Sequence, residues 1–188
     1  MINQFYDIIT IGGSAGSIPI LIDLLDGMPD YFSQSVIIVL HRLKNVQSEM
    51  DRLLSVKQRI TEPEDKEMIV QGGIYLAPQN YHLQVEDDHS FSLDYSELVN
   101  YSRPSIDVAF SSIAAVYRSR VLGILLSGAN KDGAAGLSCI ISAGGTGIVQ
   151  DPQTALYGEM PQSAIEINNN VKVMDVGEII SFIDTVSK

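Results

Sequence analysis

The stretch Ile8-Ile9-Thr10-Ile11-Gly12-Gly13-Ser14-Ala15-Gly16-Ser17 decides the fold class of this 188-residue chain. Its first four residues are β-branched and almost wholly apolar, the pattern of a short strand buried on both faces. Two glycines stop the strand. Apolar residues at helical spacing from Ile18 to Leu25 then run to a stop at Gly27-Met28-Pro29. Strand, glycine turn and helix form the opening unit of a parallel α/β sheet. Ser17 is placed to cap that helix, and Pro19 is tolerated in its first turn.

The alternation continues along the chain. Val36-Ile37-Ile38-Val39-Leu40 is a second buried strand ending at His41, and residues 45–56 can form a helix on Val46, Met50, Leu53 and Leu54. Residues 74–77, 81–85 and 91–93 read as short strands, the last two joined by a hairpin turn at Glu86-Asp87-Asp88-His89-Ser90. Ser105 caps a helix whose apolar face is Ile106, Ala109, Phe110, Ile113, Ala114 and Tyr117. A strand over residues 121–126 is closed by Ser127-Gly128, and a small-residue helix over 134–143 follows. Two more strand-then-helix units complete the chain, 147–150 with 161–167 and 171–176 with 178–186. The predicted fold is α/β: a doubly wound, mostly parallel sheet with helices on both faces and an antiparallel hairpin excursion on it. Residues 1–188 read as one domain.

Composition narrows the function classes. Hydrophobic residues make up 45% and charged residues 19%, an ordinary globular balance. With 23 acidic against 12 basic residues the net charge is −11, which argues against nucleic acid as a partner, because phosphate binding needs a positive field. No apolar run reaches the ~18 residues of a membrane span, and the N-terminus lacks the basic region of a signal peptide. The single cysteine, Cys139, has no partner for an internal disulfide and suits a reducing, cytoplasmic setting. It is expected to pack in the core. No His, Cys and Asp cluster shows ligand spacing, so neither a metal nor another cofactor is expected.

Ligands of open α/β sheets bind beyond the carboxyl ends of the strands, near the point where strand order reverses. Three reactive side chains follow strands: Ser14, His41 and Asp132. A serine hydroxyl needs a base to take its proton, and the base needs an orienting partner. The glycines around Ser14 allow a tight turn that exposes the hydroxyl and leaves backbone N–H groups at a helix N-terminus, where an oxyanion can be held. Gly12-x-Ser14-x-Gly16 matches the nucleophile-elbow spacing, but the chain order Ser, His, Asp is none of the familiar triad orders. A dinucleotide site is opposed by Ser14, which stands where the fingerprint needs glycine, and by the second strand ending in His41-Arg42 rather than an acid. Each residue also has a plain structural reading. Ser14 can cap the first helix, Asp132 can cap the helix at Ala134, and His41 can be a hydrogen-bonded scaffold residue; spacing alone leaves these open. His82 reads as structural, His89 as exposed and Asp151 as a turn residue. Arg103 either pairs with Asp107 or faces a substrate.

The ordered set of motifs is more specific. It comprises Ile11-Gly12-Gly13-Ser14-Ala15-Gly16, Val39-Leu40-His41, Ile74-Tyr75-Leu76-Ala77-Pro78 with His82-Leu83, and Ser102-Arg103-Pro104-Ser105-Ile106-Asp107. It continues with Leu126-Ser127-Gly128, Asp132-Gly133-Ala134-Ala135-Gly136, Gln150-Asp151 and Met160-Pro161-Gln162-Ser163-Ala164-Ile165. Over nearly its whole length the chain resembles the catalytic domain of the chemotaxis protein-glutamate methylesterases, the CheB family. The resemblance implies Ser14 as nucleophile, His41 as general base and acid, and Asp132 as the residue orienting His41. It makes Ala15 and Ala129 candidates for oxyanion N–H groups and Arg103 a candidate substrate contact. The implied activity is hydrolysis of glutamate γ-methyl esters on methyl-accepting chemotaxis receptors, with release of methanol; many members also deamidate receptor glutamines.

Two departures stand out within the motifs. The family usually has a second glycine where Ser17 stands and Met-Gly where Ala129-Asn130 stand, and Asn130 changes the turn chemistry before Asp132. Typical members also carry a phosphorylatable receiver domain ahead of the catalytic one, whereas only a few residues precede the first strand here. Constitutive activity, or restraint by a separate regulatory protein, is therefore expected. Two other readings are a receptor or signalling adaptor with little catalysis, and an esterase or amidase on another protein. Because an acidic enzyme and an acidic receptor segment repel, Arg42, Lys44, Arg103 and Lys131 on the motif loops are expected to guide the substrate.

Overall fold

The computed structural model of the protein describes residues 5–29, 32–42, 54 and 59–187. In chain order the elements are β1 (Ile8–Gly13), α1 (Ile18–Gly27), β2 (Ser35–Leu40), β3 (Ile60–Thr61), β4 (Ile74–Leu76), β5 (His82–Val85) and β6 (Phe91–Asp94). They continue as α2 (Ile106–Tyr117), β7 (Val121–Leu125), α3 (Ala134–Ser142), β8 (Thr146–Gln150), α4 (Glu159–Ile167), β9 (Lys172–Met174) and α5 (Val176–Val186). Among the described residues seven strands form one parallel sheet in the order β3-β4-β2-β1-β7-β8-β9.

The central strands are buried along their whole length because alternate residues feed two different cores. On one face Ile9, Ile11, Val36 and Ile38 pack with Leu21 and Leu24 of α1 and Ile179 and Ile183 of α5. On the other, Ile8, Ile37, Val39 and Leu125 pack with Phe110 of α2, Leu137 of α3 and Met160 of α4. The chain builds outward from β1 through β2 to β4, then returns through α2 to place β7 on the opposite side of β1. Strand order therefore reverses between β1 and β7, and the carboxyl ends of these strands are where open α/β sheets form their ligand crevice.

The α/β reading holds, with one difference at the hairpin. β5 and β6 pair antiparallel, Leu83 opposite Leu93 and Val85 opposite Phe91, but they form a separate two-stranded sheet. The reason lies at the sheet edge. β3, too short to signal itself in the sequence, pairs with β4 and occupies the place the hairpin would extend. The hairpin instead packs against α2, burying Leu83, Val85 and Phe91 and donating the Val85 N–H to Ser112 Oγ at 3.1 Å.

Local chemistry accounts for several further details. Ser105 caps α2 as expected, its side chain accepting from the Val108 N–H. Ser17 precedes α1 but makes no side-chain cap; its hydroxyl donates to the Ser14 carbonyl at 2.7 Å and tightens the turn. Cys139 is exposed rather than in the core, because it lies two residues, about 200°, around α3 from the buried Leu137. The helix expected over residues 45–56 lies outside the described residues apart from Leu54, which is buried.

Candidate active site

The parallel register sets the first distance of the site. Gly13 pairs with Leu40 across β1 and β2, so the next residues, Ser14 and His41, leave the sheet side by side. The His41 N–H donates back to the Gly13 carbonyl at 3.2 Å. Ser14 is held by its own backbone: its N–H donates to the Ser127 carbonyl at 3.0 Å, and its carbonyl accepts from the Ser17 N–H and hydroxyl. Gly16 adopts φ 79°, a left-handed conformation that glycine takes without strain and that turns the chain from β1 into α1. Ser14 is half-buried at the mouth of this turn.

Asp132 arrives from the other side of β1, seven residues beyond the end of β7. It is fully buried, and His41 Nε2 lies 2.8 Å from its Oδ2. The same oxygen accepts the Ile106 N–H at 2.7 Å; Oδ1 accepts from Ser105 Oγ at 2.8 Å, Asn100 Nδ2 at 3.1 Å and the Asp107 N–H at 3.2 Å. Asp132 thus sits against the N-terminus of α2, where unpaired N–H groups and the helix dipole favour an anion. It does not cap α3, whose N-cap position is held by Gly133 at φ 94°. A Cβ on Gly133 would stand 2.6 Å from Leu125 Cδ1 and 2.7 Å from Ile106 Cγ2, so the turn that directs Asp132 toward α2 requires glycine twice over.

These contacts decide the charge of the carboxyl. Burial works against the anion, but the hydrogen bonds from His41, the Ile106 N–H, Asn100 and Ser105 outweigh it, and the pKa falls from 3.8 to about 2. Asp107 shares Asn100 with Asp132 and moves the other way. Burial raises its pKa and the nearby Asp132 charge adds to the rise, against a hydrogen bond from the Gly136 N–H. The pKa values of the neighbouring carboxyls are pushed apart, and Asp132 is the one held firmly as an anion.

An ionised Asp132 accepts only, so His41 Nε2 carries the proton of their bond and the neutral imidazole presents the lone pair of Nδ1 to the crevice. Asn130 lies against that lone pair. Its Oδ1 accepts the Asp132 N–H at 3.0 Å, which orients the amide and turns Nδ2 toward His41 Nδ1 at 3.3 Å. Ser102 Oγ is a longer neighbour at 3.4 Å. Among the described residues Ser14 Oγ makes no hydrogen bond to His41 in this conformation. The Ala15 and Ala129 N–H groups beside the crevice have no hydrogen-bond partner among the described residues, and both residues are exposed.

The remaining expected residues divide. Arg103 does not pair with Asp107; its guanidinium stacks 3.7 Å above the Tyr95 ring and donates to the Tyr95 and Ser96 carbonyls. Arg42 is bound to Glu62 at 2.6 Å and to the Ala77 carbonyl. Lys44 lies outside the described residues, and Lys131 is exposed with no ion pair among them. Of the four basic residues expected to guide the substrate, both arginines are thus engaged within the fold, and Lys131 is the described one that is not. His82 is structural, accepting the Ser105 N–H at Nδ1 and donating from Nε2 to the Glu97 carbonyl. Asp151 accepts the Gln153 N–H in a turn. Sequence reasoning missed Asn100, whose signal was only its place shortly before a helix start carrying unpaired N–H groups. Among the described residues no group of three His, Cys, Asp or Glu side chains is placed to hold a metal, and no helix is long and apolar enough to cross a membrane.

A serine turn beside a carboxylate-anchored histidine, at the strand-order reversal of an α/β sheet, is an arrangement suited to a serine hydrolase. Residues 9–183 match the family model described as CheB methylesterase. The chain belongs to the CheB methylesterase family. A Leptospira interrogans protein, provisionally named a protein-glutamate methylesterase/protein-glutamine glutaminase, is 43% identical over 176 residues, covering 93% of this chain and 91% of that protein. A Carboxydothermus hydrogenoformans protein-glutamate methylesterase/protein-glutamine glutaminase is 31% identical over 92% of this chain, which spans 53% of that longer relative. The crystal structure of the Thermotoga maritima CheB methylesterase catalytic domain superimposes with a TM-score of 0.86 at 28% identity, covering 94% of this chain and 98% of that one.

Proposed function

We propose that the chain is a single catalytic domain, working in the cytoplasm, that hydrolyses glutamate γ-methyl esters of chemoreceptors through an acyl-enzyme on Ser14. The observation that carries this reading is the 2.8 Å bond from His41 Nε2 to a buried Asp132, with Ser14 beside His41 in strand register. In this mechanism Ser14 Oγ rotates to displace the Asn130 amide from His41 Nδ1, and Nδ1 takes its proton as Oγ attacks the ester carbonyl. The Ala15 and Ala129 N–H groups receive the developing oxyanion. Collapse breaks the carbon–methoxy bond, and His41 returns the proton to release methanol. Water then attacks the acyl-serine, His41 takes its proton, and glutamate and free Ser14 are restored. A receptor glutamine enters the same sequence with ammonia as the leaving group.

Methylated chemoreceptor membranes supply the test. The protein is expected to release methanol and to leave free receptor glutamates in equal amount. Receptor binding without methanol release would remove the esterase reading and favour an adaptor.

A further inference from the structure

Asn100 and Tyr101 are consecutive non-glycine residues in the left-handed region, at φ 49° and 62°. For a residue with a side chain this backbone is strained, asparagine tolerating it best. The strain at Asn100 is matched by the bonds of its amide to Asp107 at 2.8 Å and Asp132 at 3.1 Å. Tyr101 has no such return. Its side chain is 94% exposed and has no hydrogen bond or ring contact among the described residues. An aromatic ring on strained backbone, standing in water, contributes nothing to the fold that holds it there. Its chain neighbour Ser102 is 3.4 Å from His41 Nδ1, so the Tyr101 backbone lies beside the base.

The nucleophile's side is bordered in the same way. The 155–158 loop is tied to the end of β7 by Tyr157 N–H to Ser127 Oγ at 3.0 Å and Gly128 N–H to the Tyr157 carbonyl at 3.0 Å. It carries Leu156, 73% exposed, and Tyr157, 46% exposed. Leu156 lies over the serine turn, close enough that a Cβ on Gly16 would meet its Cβ at 2.8 Å. Charge is a poor basis for recognition here. The chain carries a net −11, Arg42 and Arg103 are engaged within the fold, and methylation makes the target glutamate neutral.

Resting on the methylesterase reading, we propose that Tyr101, together with Leu156 and Tyr157, grips the apolar face of the amphipathic polypeptide segment that carries the ester. Tyr101 sets substrate affinity and leaves the chemical step alone. Tyrosines at interface centres commonly lose tenfold or more in affinity when truncated.

The test compares Tyr101→Gly and Tyr101→Ala with the unaltered protein on methylated receptor membranes and on a small soluble ester, with a melting temperature for each. On membranes both variants are expected to raise KM about tenfold with kcat within twofold. Small-ester turnover is expected to stay unchanged, and Tyr101→Gly to melt no lower than the unaltered protein, because glycine relieves the left-handed strain. Membrane KM unchanged in both variants overturns this proposal alone. A parallel fall in small-ester turnover also overturns it, because Tyr101 would then be supporting the catalytic loop. Cleavage of the small ester by the unaltered protein without methanol release from membranes overturns the methylesterase reading and this proposal with it.

Discussion

Ser14→Ala is expected to lower kcat/KM for methanol release by about four orders of magnitude or more while leaving the melting temperature nearly unchanged. Removing the nucleophile of a serine hydrolase removes the acyl intermediate, and what survives comes from binding and oxyanion contacts alone, as in other hydrolases where the loss reaches ~10⁶-fold. Stability should hold because the turn at residue 14 is built from backbone, with its N–H on Ser127 and its carbonyl on Ser17. The readouts are steady-state turnover and a thermal melt on the same preparation. A loss of tenfold or less would mean that Ser14 does not carry the reaction.

Asp132→Asn is expected to damage both activity and stability. An amide offers one acceptor oxygen where the carboxylate offers two, and it sets its N–H groups either against His41 Nε2 and the Ile106 N–H or against the Asn100 and Asp107 donors. The neutral amide no longer holds the His41 proton on Nε2 as the anion does, and kcat is expected to fall by ~10³- to 10⁴-fold. Linkage gives a second signature. The folded pKa of Asp132 is depressed from 3.8 to about 2, so its contribution to stability is fully present above pH 3.8 and fades as pH falls toward 2. That contribution is about 2 kcal/mol. Unfolding free energies of the unaltered protein are expected to drop between pH 4 and 2 more steeply than those of Asp132→Asn. Parallel pH curves for the two proteins would show that the carboxylate is not held as described.

Much of this site was legible because the sheet does the positioning. The runs at Ile8-Ile9-Thr10-Ile11 and Val36-Ile37-Ile38-Val39-Leu40 mark buried parallel strands, and each is followed directly by the reactive residue it presents. Register then places Ser14 beside His41 without any long-range knowledge. Asp132 was legible as a partner of His41 but not as an anion seated on the N-terminus of α2, because that contact spans 26 residues and depends on Gly133 turning the chain back. Asn100 is marked in the sequence only by its place before a helix start, and Tyr101 by nothing; the left-handed backbone at both and the Asn100 hydrogen bonds are visible only in the fold. The edge strand β3 escaped notice because two residues cannot show a period. Cys139 misled because a small residue in a small-residue helix says nothing of which face it takes. The basic residues misled more instructively. Arg42 and Arg103 are expected from their motif loops to guide substrate, but planar guanidinium groups readily settle on carbonyls and aromatic rings, and in the fold Arg42 bonds a carbonyl and Arg103 stacks on a ring.

The central claim is that Ser14 is the residue His41 activates. Labelling the protein with a fluorophosphonate, which reacts with activated serines, and locating the adduct by mass spectrometry addresses it most directly. One adduct per chain is expected, on Ser14, with methanol release lost in step with labelling. Full turnover after Ser14 is stoichiometrically labelled, or loss of turnover on labelling a different residue, would contradict it.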